Sequence, residues 1–249
     1  MLKILKTRFQ QGCRTMLFPK APAPALPARY RGRPIMAGQG NNLDLGAISF
    51  NPDSSSLECH CEERSDEAIS ISYSNDYRMA VSKREDLVLS QGNELVLARA
   101  LNDKMLKIFG RSLKLRQVSA GGCNACEMDI NVLNTPVWDL SRFGIQFVAS
   151  PRHADGIVVT GPITRNMHEA LLKTYEATPD PKVVIAVGGC AISGGIFSDS
   201  PYSHAEYSPR SQVSKGLDTI IPVDLYIPGC PPHPLTILDG LLRLLDRLK

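Results

Sequence analysis

The stretch Ser119-Ala120-Gly121-Gly122-Cys123-Asn124-Ala125-Cys126-Glu127 decides how the rest of the chain is organised. It places a Cys-x-x-Cys pair between an apolar, strand-like run and the predicted start of a helix. Two further cysteines have a similar setting, Cys190 after Val-Gly-Gly and Cys230 after Ile-Pro-Gly. Each follows a strand-like run and a glycine, where a chain leaves a sheet and turns. We therefore expect the four thiols to share one site.

From about residue 84 onward, strand-like runs alternate with helical patterns. Strands are predicted at 113–118, 145–149, 156–160, 183–187 and 225–227. Helices are predicted at 94–109, 127–133, 166–177 and 235–248. Apolar, β-branched strands that alternate with helices indicate a parallel sheet covered on both faces. The predicted fold class is α/β, an open parallel sheet with helices on both faces.

Composition divides the chain into three parts. Residues 1–36 are predicted to be a basic, Pro-rich docking arm, extended rather than packed, because five prolines stand between residues 19 and 35. Residues 37–83 are predicted to be a flexible linker, dense in Gly, Asn and Ser; within it, 59–70 resemble the translated product of a bacterial repetitive element. Residues 84–249 are predicted to form the domain that carries the four cysteines.

Charge and hydropathy exclude several classes of protein. The mean hydropathy is −0.10 and no run approaches the roughly 18 apolar residues of a spanning helix, so any membrane contact is predicted to be peripheral. Residues 1–43 hold eight Lys and Arg and no acid. This basic segment contains no recognisable nucleic-acid-binding module, which argues against nucleic acid as a partner. It is compatible with an amphipathic helix over 1–18, a transit segment or a disordered tail.

The cysteines suit metal binding better than disulfides. Seven cysteines in 249 residues is an odd number, and no secretory signal precedes them, so a reducing compartment is expected. In an open parallel sheet, ligands bind where the loops leave the carboxyl ends of the strands. Cys123, Cys126, Cys190 and Cys230 are predicted to converge there, and four cysteines are the usual ligands of a [4Fe-4S] cluster. Nearby glycines let the backbone approach a bulky group.

Other interpretations of the same residues stay open from the pattern alone. A Cys₄ zinc site would use the same four thiols, and a lone Cys-x-x-Cys also serves as a redox dithiol. Glu127 and Asp129 are typical of a solvated helix start, although Glu127 is also placed for proton or electron coupling beside a cluster. His153 and His233 are interpreted as ordinary loop residues. Cys13, Cys59 and Cys61 lack a second ligand pair and are interpreted as spare thiols.

Four motifs in order resemble one family. GGCNACEMDI, VVTGPITRNM, VGGCAISGG and YIPGCPPHPLTILDGLL resemble the B-subunit family of respiratory complex I, and still more the small subunits of membrane-bound (energy-converting, group 4) [NiFe] hydrogenases. The resemblance covers about residues 108–249. It implies a flavodoxin-like domain with one [4Fe-4S] cluster beside a large catalytic subunit, with Cys123, Cys126, Cys190 and Cys230 as its ligands.

One departure separates the two branches of this resemblance. Complex I members have adjacent cysteines at the first site, whereas Asn124 and Ala125 separate Cys123 from Cys126 here. That spacing favours the hydrogenase-like branch. Separately, MLKILKTRFQQG and LPARYRGRPI resemble the leader of the ferredoxin-type subunit of the same complexes, but the cysteine runs that follow the leader there are missing.

The function expected from the residues and the resemblance is electron transfer through one [4Fe-4S] cluster, to or from the large subunit of a hydrogenase-like complex. The expected partners are that large catalytic subunit, a ferredoxin-type iron–sulfur subunit and membrane-arm subunits. The expected location is the cytoplasmic side of the inner membrane, as a peripheral subunit. The alternatives are a complex I protein of the B-subunit family that passes electrons to quinone, and a zinc-stabilised assembly protein.

Overall fold

The computed structural model describes residues 6, 15–28, 30–37, 43–45, 70–89, 95–110, 112–197 and 216–248. Within them, the α-helices are α1 (Asp103–Phe109), α2 (Ala125–Val132), α3 (Arg165–Ala177), α4 (Gly189–Ser193) and α5 (Pro234–Leu244). The strands are β1 (Pro34–Ala37), β2 (Leu43–Asp44), β3 (Ser70–Tyr73), β4 (Val88–Leu89), β5 (Leu113–Ser119), β6 (Ile145–Phe147), β7 (Gly156–Thr160), β8 (Val183–Val187) and β9 (Leu225–Ile227). Short 3-10 helices cover Arg84–Leu87, Leu140–Phe143, Pro151–His153, Gly195–Phe197 and Leu217–Thr219.

Strands β5 to β9 form the central sheet, in the order β6-β5-β7-β8-β9, and every neighbouring pair is parallel. Counted along the chain this is the order 2-1-3-4-5, which is the flavodoxin-like arrangement of a doubly wound sheet. Strands β7 and β8 are buried over their whole length, as their unbroken apolar sequences require. The predicted α/β class with an open parallel sheet is confirmed.

Alternate residues of each strand face two separate hydrophobic cores, because successive side chains point to opposite faces of a sheet. In β7, Val158 belongs to the first core together with Leu241 of α5, and Ile157 belongs to the second together with Leu171 of α3. Helices α2 and α5 therefore cover one face, and α3 and α4 cover the other. In the described residues, neither helical layer covers the edge of the sheet at which the parallel strands end, and the loops that follow the strands lie there.

The Pro-rich arm, predicted to be extended rather than packed, is packed against the domain over the part that the structure describes. Phe18 is buried in the first core, and Met16, Ala23 and Leu26 pack against the same core. Arg142 donates hydrogen bonds to the carbonyl oxygens of Met16 and Phe18. Apolar side chains before and between the prolines therefore attach the arm, a feature that its proline content alone does not indicate.

Part of the segment predicted to be a flexible linker is folded. Strand β3 pairs with β1 and β4 pairs with β2, in both cases antiparallel. Met79, Ala80 and Val81 are buried, and Val81 exchanges two backbone hydrogen bonds of 2.9 and 3.0 Å with Tyr226 at the outer edge of β9. The packed domain therefore begins before residue 84, although the division of the chain into three parts stays a prediction.

The helix predicted over 94–109 is shorter than its apolar spacing indicates. It begins after Asn102, whose side chain accepts a hydrogen bond of 3.0 Å from the backbone N–H of Met105 and so caps the helix. The preceding residues run without helical structure, and Ala98 donates to the carbonyl of Ala80 across 2.7 Å. Residues before Asn102 therefore pair with the 79–81 segment instead of forming the helix that their apolar spacing predicts. The predicted helix over 1–18 lies mostly outside the described residues.

In the described part of the chain, no helix combines the length and the apolar character needed to cross a membrane.

Candidate functional site

Strands β5, β7, β8 and β9 end in one transverse row. Ser119 pairs with Thr160, Thr160 with Val187, and Val187 with Ile227. Because the strands are parallel, this row marks the carboxyl edge of the sheet, which is where open α/β sheets bind ligands. The loops that follow these residues therefore leave the sheet at the same level.

The four cysteines predicted as ligands all follow this row. Cys123 comes after β5, and Cys126 lies in the first turn of α2. Cys190 lies in α4, directly after β8, and Cys230 follows β9. None of the four forms a disulfide; Cys123 is exposed, and the other three are partly buried. The structure therefore brings all four to one edge, while Cys13, Cys59 and Cys61 lie outside the described residues.

Backbone hydrogen bonds tie the loops after β8 and β9 together. The N–H of Gly188 donates to the carbonyl of Ile227 across 2.9 Å, and the N–H of Gly189 donates to the carbonyl of Gly229 across 2.8 Å. These bonds extend the pairing of the two strands beyond the end of the sheet. The segments that carry Cys190 and Cys230 are therefore held side by side.

The loops after β5 and β7 are joined in the same way. Ala120 donates to the carbonyl of Thr160 across 2.8 Å and accepts a hydrogen bond of 2.9 Å from the N–H of Thr164. Gly161 has a φ of +82°, and a Cβ added there would lie 2.4 Å from the backbone nitrogen of Gly122. Only glycine permits this approach, which fixes the position of the segment just before Cys123.

Gly188 connects the two pairs of loops. It has a φ of +89°, and a Cβ added to it would lie 2.6 Å from Sγ of Cys126. The Cys126 thiol therefore packs directly against the backbone that leads into Cys190. The sequence predicted that glycines near the cysteines let the backbone approach a bulky group. In the structure, Gly188 makes room for the thiol of Cys126.

The thiols are coupled electrostatically. Burial raises the pKa of the Cys126 thiol, and the neighbouring charges of Cys190, Glu127, Cys230 and Cys123, in that order, raise it further. Burial, followed by the charges of Cys230, Cys123 and Glu127, raises the pKa of Cys190 to about 12. Such thiols resist ionisation by themselves, whereas a coordinated metal ion deprotonates its thiol ligands outright. The four thiols are thus donors of the kind that a positively charged, thiophilic metal group ionises, but among the described residues no three Cys, His, Asp or Glu side chains are arranged to hold a single metal ion.

Glu127 is buried beside the cysteines, contrary to the prediction of a solvated helix start. Its Oε1 accepts hydrogen bonds of 2.6 Å from Ser119 Oγ and from Thr160 Oγ1. Burial raises the pKa of Glu127, but these two bonds and a backbone hydrogen bond outweigh it, so that the net pKa lies below the ordinary value. The carboxylate is ionised and is held by the residues that end β5 and β7.

Neither predicted loop histidine is among the four side chains at this edge. His153 ends a 3-10 helix that precedes β7, at the opposite edge of the sheet. His233 caps α5, with Nδ1 accepting a hydrogen bond of 3.1 Å from the N–H of Leu235. Its ring also packs against Tyr30 of the arm and Trp138. Sequence reasoning missed these neighbours, since no pattern relates residues 30, 138 and 233.

Comparison of this sequence and fold with known proteins identifies the family. The family described as "NADH ubiquinone oxidoreductase, 20 Kd subunit" matches residues 123–244, a span that starts at Cys123. A probable membrane-bound hydrogenase subunit of Pyrococcus furiosus is 44% identical over 145 residues, which cover 58% of this chain and 81% of the relative. The chain belongs to this family. Proteins of the family are iron–sulfur proteins.

Other relatives in the family come from both branches of the resemblance. Formate hydrogenlyase subunit 7 of Escherichia coli is 43% identical, over 60% of this chain and 55% of the relative. The B-type subunit of the NADH-quinone oxidoreductase of Phocaeicola vulgatus is 42% identical, over 65% of this chain and 75% of the relative. A chain of the archaeal membrane-bound sulfane sulfur reductase matches with a TM-score of 0.48 and 34% identity, over 59% of this chain and 76% of that one. Membership assigns this chain to the redox subunits of such oxidoreductase complexes.

Proposed function

We propose that this protein is an electron-transfer subunit that holds one [4Fe-4S] cluster through Cys123, Cys126, Cys190 and Cys230. The cluster would relay electrons to or from the large catalytic subunit of a hydrogenase-like complex. When bound, it supplies one-electron oxidation and reduction. The protein supplies the ligands, their fixed separation and a partly buried environment that tunes the potential.

One observation carries this proposal: four cysteines follow strands that end in register at a single sheet edge. The row from Ser119 to Ile227 sets the level of the loops. The glycine contacts then leave room for sulfur atoms, most clearly where Gly188 faces Cys126. A thiolate set of this kind is the usual ligand set of iron–sulfur clusters, and the family consists of iron–sulfur proteins.

A Cys₄ zinc site is the alternative from a different class. Zinc would use the same four thiols, with each sulfur atom about 2.3 Å from one central ion. The family supports the cluster over zinc, because its proteins are iron–sulfur proteins. The metal content of the purified chain discriminates the two groups directly.

The Cys-x-x-Cys spacing of Cys123 and Cys126 supports the hydrogenase-like branch. The relatives named hydrogenase and formate hydrogenlyase subunits match at 44% and 43% identity. A complex I protein of the B-subunit family is the second candidate, because a relative of that kind matches at 42% over a longer stretch. The sequence of the large subunit that assembles with this chain would discriminate the two: paired Cys-x-x-Cys motifs in it would indicate a NiFe site, and their absence a quinone or modified site.

Partners are expected at the cysteine edge and at the arm. Cys123 is exposed there, and Met128, two residues after Cys126, is 61% exposed. A large catalytic subunit that covers this edge would exclude water from the cluster and bring its own redox centre close. We further propose a ferredoxin-type iron–sulfur subunit as the electron donor or acceptor, and attachment to membrane-arm subunits on the cytoplasmic side of the inner membrane.

Anaerobic purification of the full chain tests the proposal. We expect a brown protein with about four iron and about four acid-labile sulfides per chain, and an EPR signal on reduction. Serine at any of the four cysteines should lower the iron content, whereas Cys13→Ser, outside the predicted set, should leave it unchanged. A colourless protein with one zinc per chain would reject the cluster. Hydrogenase or quinone-reductase turnover by the isolated chain would reject the relay role.

A further inference from the structure

His233 occupies a junction between three segments of the chain. It stands three residues after Cys230 and directly before α5. The ring centroid of Tyr30, from the N-terminal arm, lies 5.4 Å from that of His233, with the two planes at 75°. The ring of Trp138, from the loop after α2, lies 6.0 Å away at 69°. Both are edge-to-face contacts of the kind that stabilise aromatic pairs.

The imidazole has a defined task at this junction. Its Nδ1 accepts a hydrogen bond of 3.1 Å from the N–H of Leu235, and the His233 carbonyl accepts bonds from Thr236 and Ile237. The bond to Nδ1 satisfies the N–H of Leu235 in the first turn of α5, which has no partner within the helix. Nδ1 must therefore be unprotonated, and the half-buried position of the ring, which lowers the pKa of His233, favours that form.

The link from His233 back to Cys230 is stiff. It consists of Pro231 and Pro232, whose rings fix φ near −65° and remove two backbone donors. On the other side of the thiol, Gly229 has a φ of +146°, and a Cβ added there would lie 2.5 Å from Cα of Pro232. The segment thus closes on itself, and a shift of His233 has few rotations in which to be absorbed before it reaches Cys230.

We propose that His233 is a positioning residue for the Cys230 thiol, and that Tyr30 and Trp138 hold its ring in the capping orientation. The arm thereby contributes to the geometry of the cysteine edge without supplying a ligand. Tyr30 is additionally tied to α5, because its hydroxyl lies 3.4 Å from Oγ1 of Thr236. The positioning claim concerns the chain itself; only its effect on a bound cluster rests on the proposed function.

The first test measures the thiol in the full chain without its iron. Iodoacetamide alkylation of Cys230 relative to Cys190, followed by peptide mass spectrometry, reports how well Cys230 is held. We expect His233→Leu and Tyr30→Leu to raise this ratio by about threefold or more. His233→Asn should stay within about twofold of the wild type, because asparagine is a good helix N-cap residue and keeps an acceptor.

Tyr73→Leu is the matched control, since the Tyr73 ring contacts Arg31 rather than the cysteine edge, and it should leave the ratio unchanged. Tyr30 is itself part of neither the Cys230 segment nor α5, so Tyr30→Leu keeps the test decisive should His233→Leu fail to fold. Unchanged alkylation in both leucine variants would overturn the proposal. Equal effects of His233→Asn and His233→Leu would also overturn it, because ring volume rather than the hydrogen bond would then be responsible.

The second test uses the assembled, iron-loaded complex. His233→Leu should change the equilibrium constant for one-electron reduction by about threefold, which corresponds to about 28 mV since a tenfold change is about 59 mV. An unchanged potential in a loaded complex would overturn the proposal. If the wild type binds no iron and sulfide, the proposed function fails, and the alkylation ratio still decides the positioning role of His233.

Discussion

Thr160, the last residue of β7, donates a hydrogen bond of 2.6 Å to Oε1 of Glu127 in α2. Ser119, the last residue of β5, donates to the same oxygen across 2.6 Å. Only 7% of Glu127 is exposed, so its charge depends on these donors. Two neighbouring strands and the helix that carries Cys126 therefore meet at one carboxylate, directly beneath the cysteine edge.

Removing one of these donors should destabilise the protein. Thr160→Val is expected to lower the free energy of unfolding by about 1.5–3 kcal/mol, the range for a hydrogen bond to a charged group. Urea denaturation of the full chain measures the change. Thr174→Val is the matched control, because its exposed hydroxyl donates to the carbonyl of Ala170 one turn earlier in α3, and it should change stability by less than about 0.5 kcal/mol. Equal losses in the two variants would contradict this role of Glu127.

A methyl group at Gly188 should displace Cys126. The added Cβ would lie 2.6 Å from Sγ of Cys126, and the backbone, at φ +89° and ψ 152°, lies in a region that is essentially restricted to glycine. We expect Gly188→Ala to lower the iron and sulfide content per chain, measured after anaerobic purification.

Gly144→Ala separates backbone strain from this contact with sulfur. Gly144 also has a positive φ, of 68°, but it precedes β6 and so lies at the opposite edge of the sheet. Its variant should lose stability while keeping its iron. Full iron content in Gly188→Ala would show that the thiol tolerates the displacement.

The arm should detach when Arg142 is shortened. Its guanidinium donates to the carbonyls of Met16 and Phe18, and a lysine cannot reproduce this two-pronged geometry. Arg142→Lys is expected to accelerate tryptic cleavage after Lys20 by about threefold or more, because cleavage requires local release of the chain. Arg152→Lys, at an exposed position, serves as the control and should leave the rate unchanged. An unchanged rate of cleavage would mean that the packing of Phe18 holds the arm in place without the hydrogen bonds of Arg142.

Acidification should weaken the cap of α5. Burial lowers the pKa of His233 below its ordinary value of 6.5, so the folded state binds fewer protons than the unfolded state. The contribution of His233 to stability is thus fully present above about pH 6.5 and is lost as the pH falls through the lowered pKa of the folded state. The stability of the wild type relative to His233→Asn should therefore decrease between about pH 8 and about pH 5 in urea titrations. A difference in stability between the two proteins that does not change with pH would contradict this role of His233.

The strands of the sheet could be predicted because their signal is local. The predicted strands at 156–160 and 183–187 coincide with β7 and β8, and the fifth strand, predicted to end with 225–227, ends there as β9. That the four cysteines share an edge followed from the parallel arrangement. Their identity as cluster ligands stays a prediction, since it depends on a group that the chain by itself does not contain.

The remaining features depend on contacts between distant segments. Glu127 is typical of an exposed helix start, and only the ends of β5 and β7 turn it into a buried carboxylate. The helix predicted over 94–109 was too long, because Ala98 pairs with a segment that itself lacks any apolar period. The packed arm was missed for the same reason. In each case the partner lies far along the chain, where neither propensity nor periodicity indicates it.

The bridge between Val81 and Tyr226 imposes an order on the biosynthesis of the protein. The 79–81 segment is translated long before β9. It therefore cannot pair with the edge of β9 until the other strands of the sheet have also been synthesised. Pairings this distant in sequence slow folding, and an unpaired edge in a nascent chain invites aggregation. The pairing that covers this edge of the sheet can therefore form only after β9 has been synthesised.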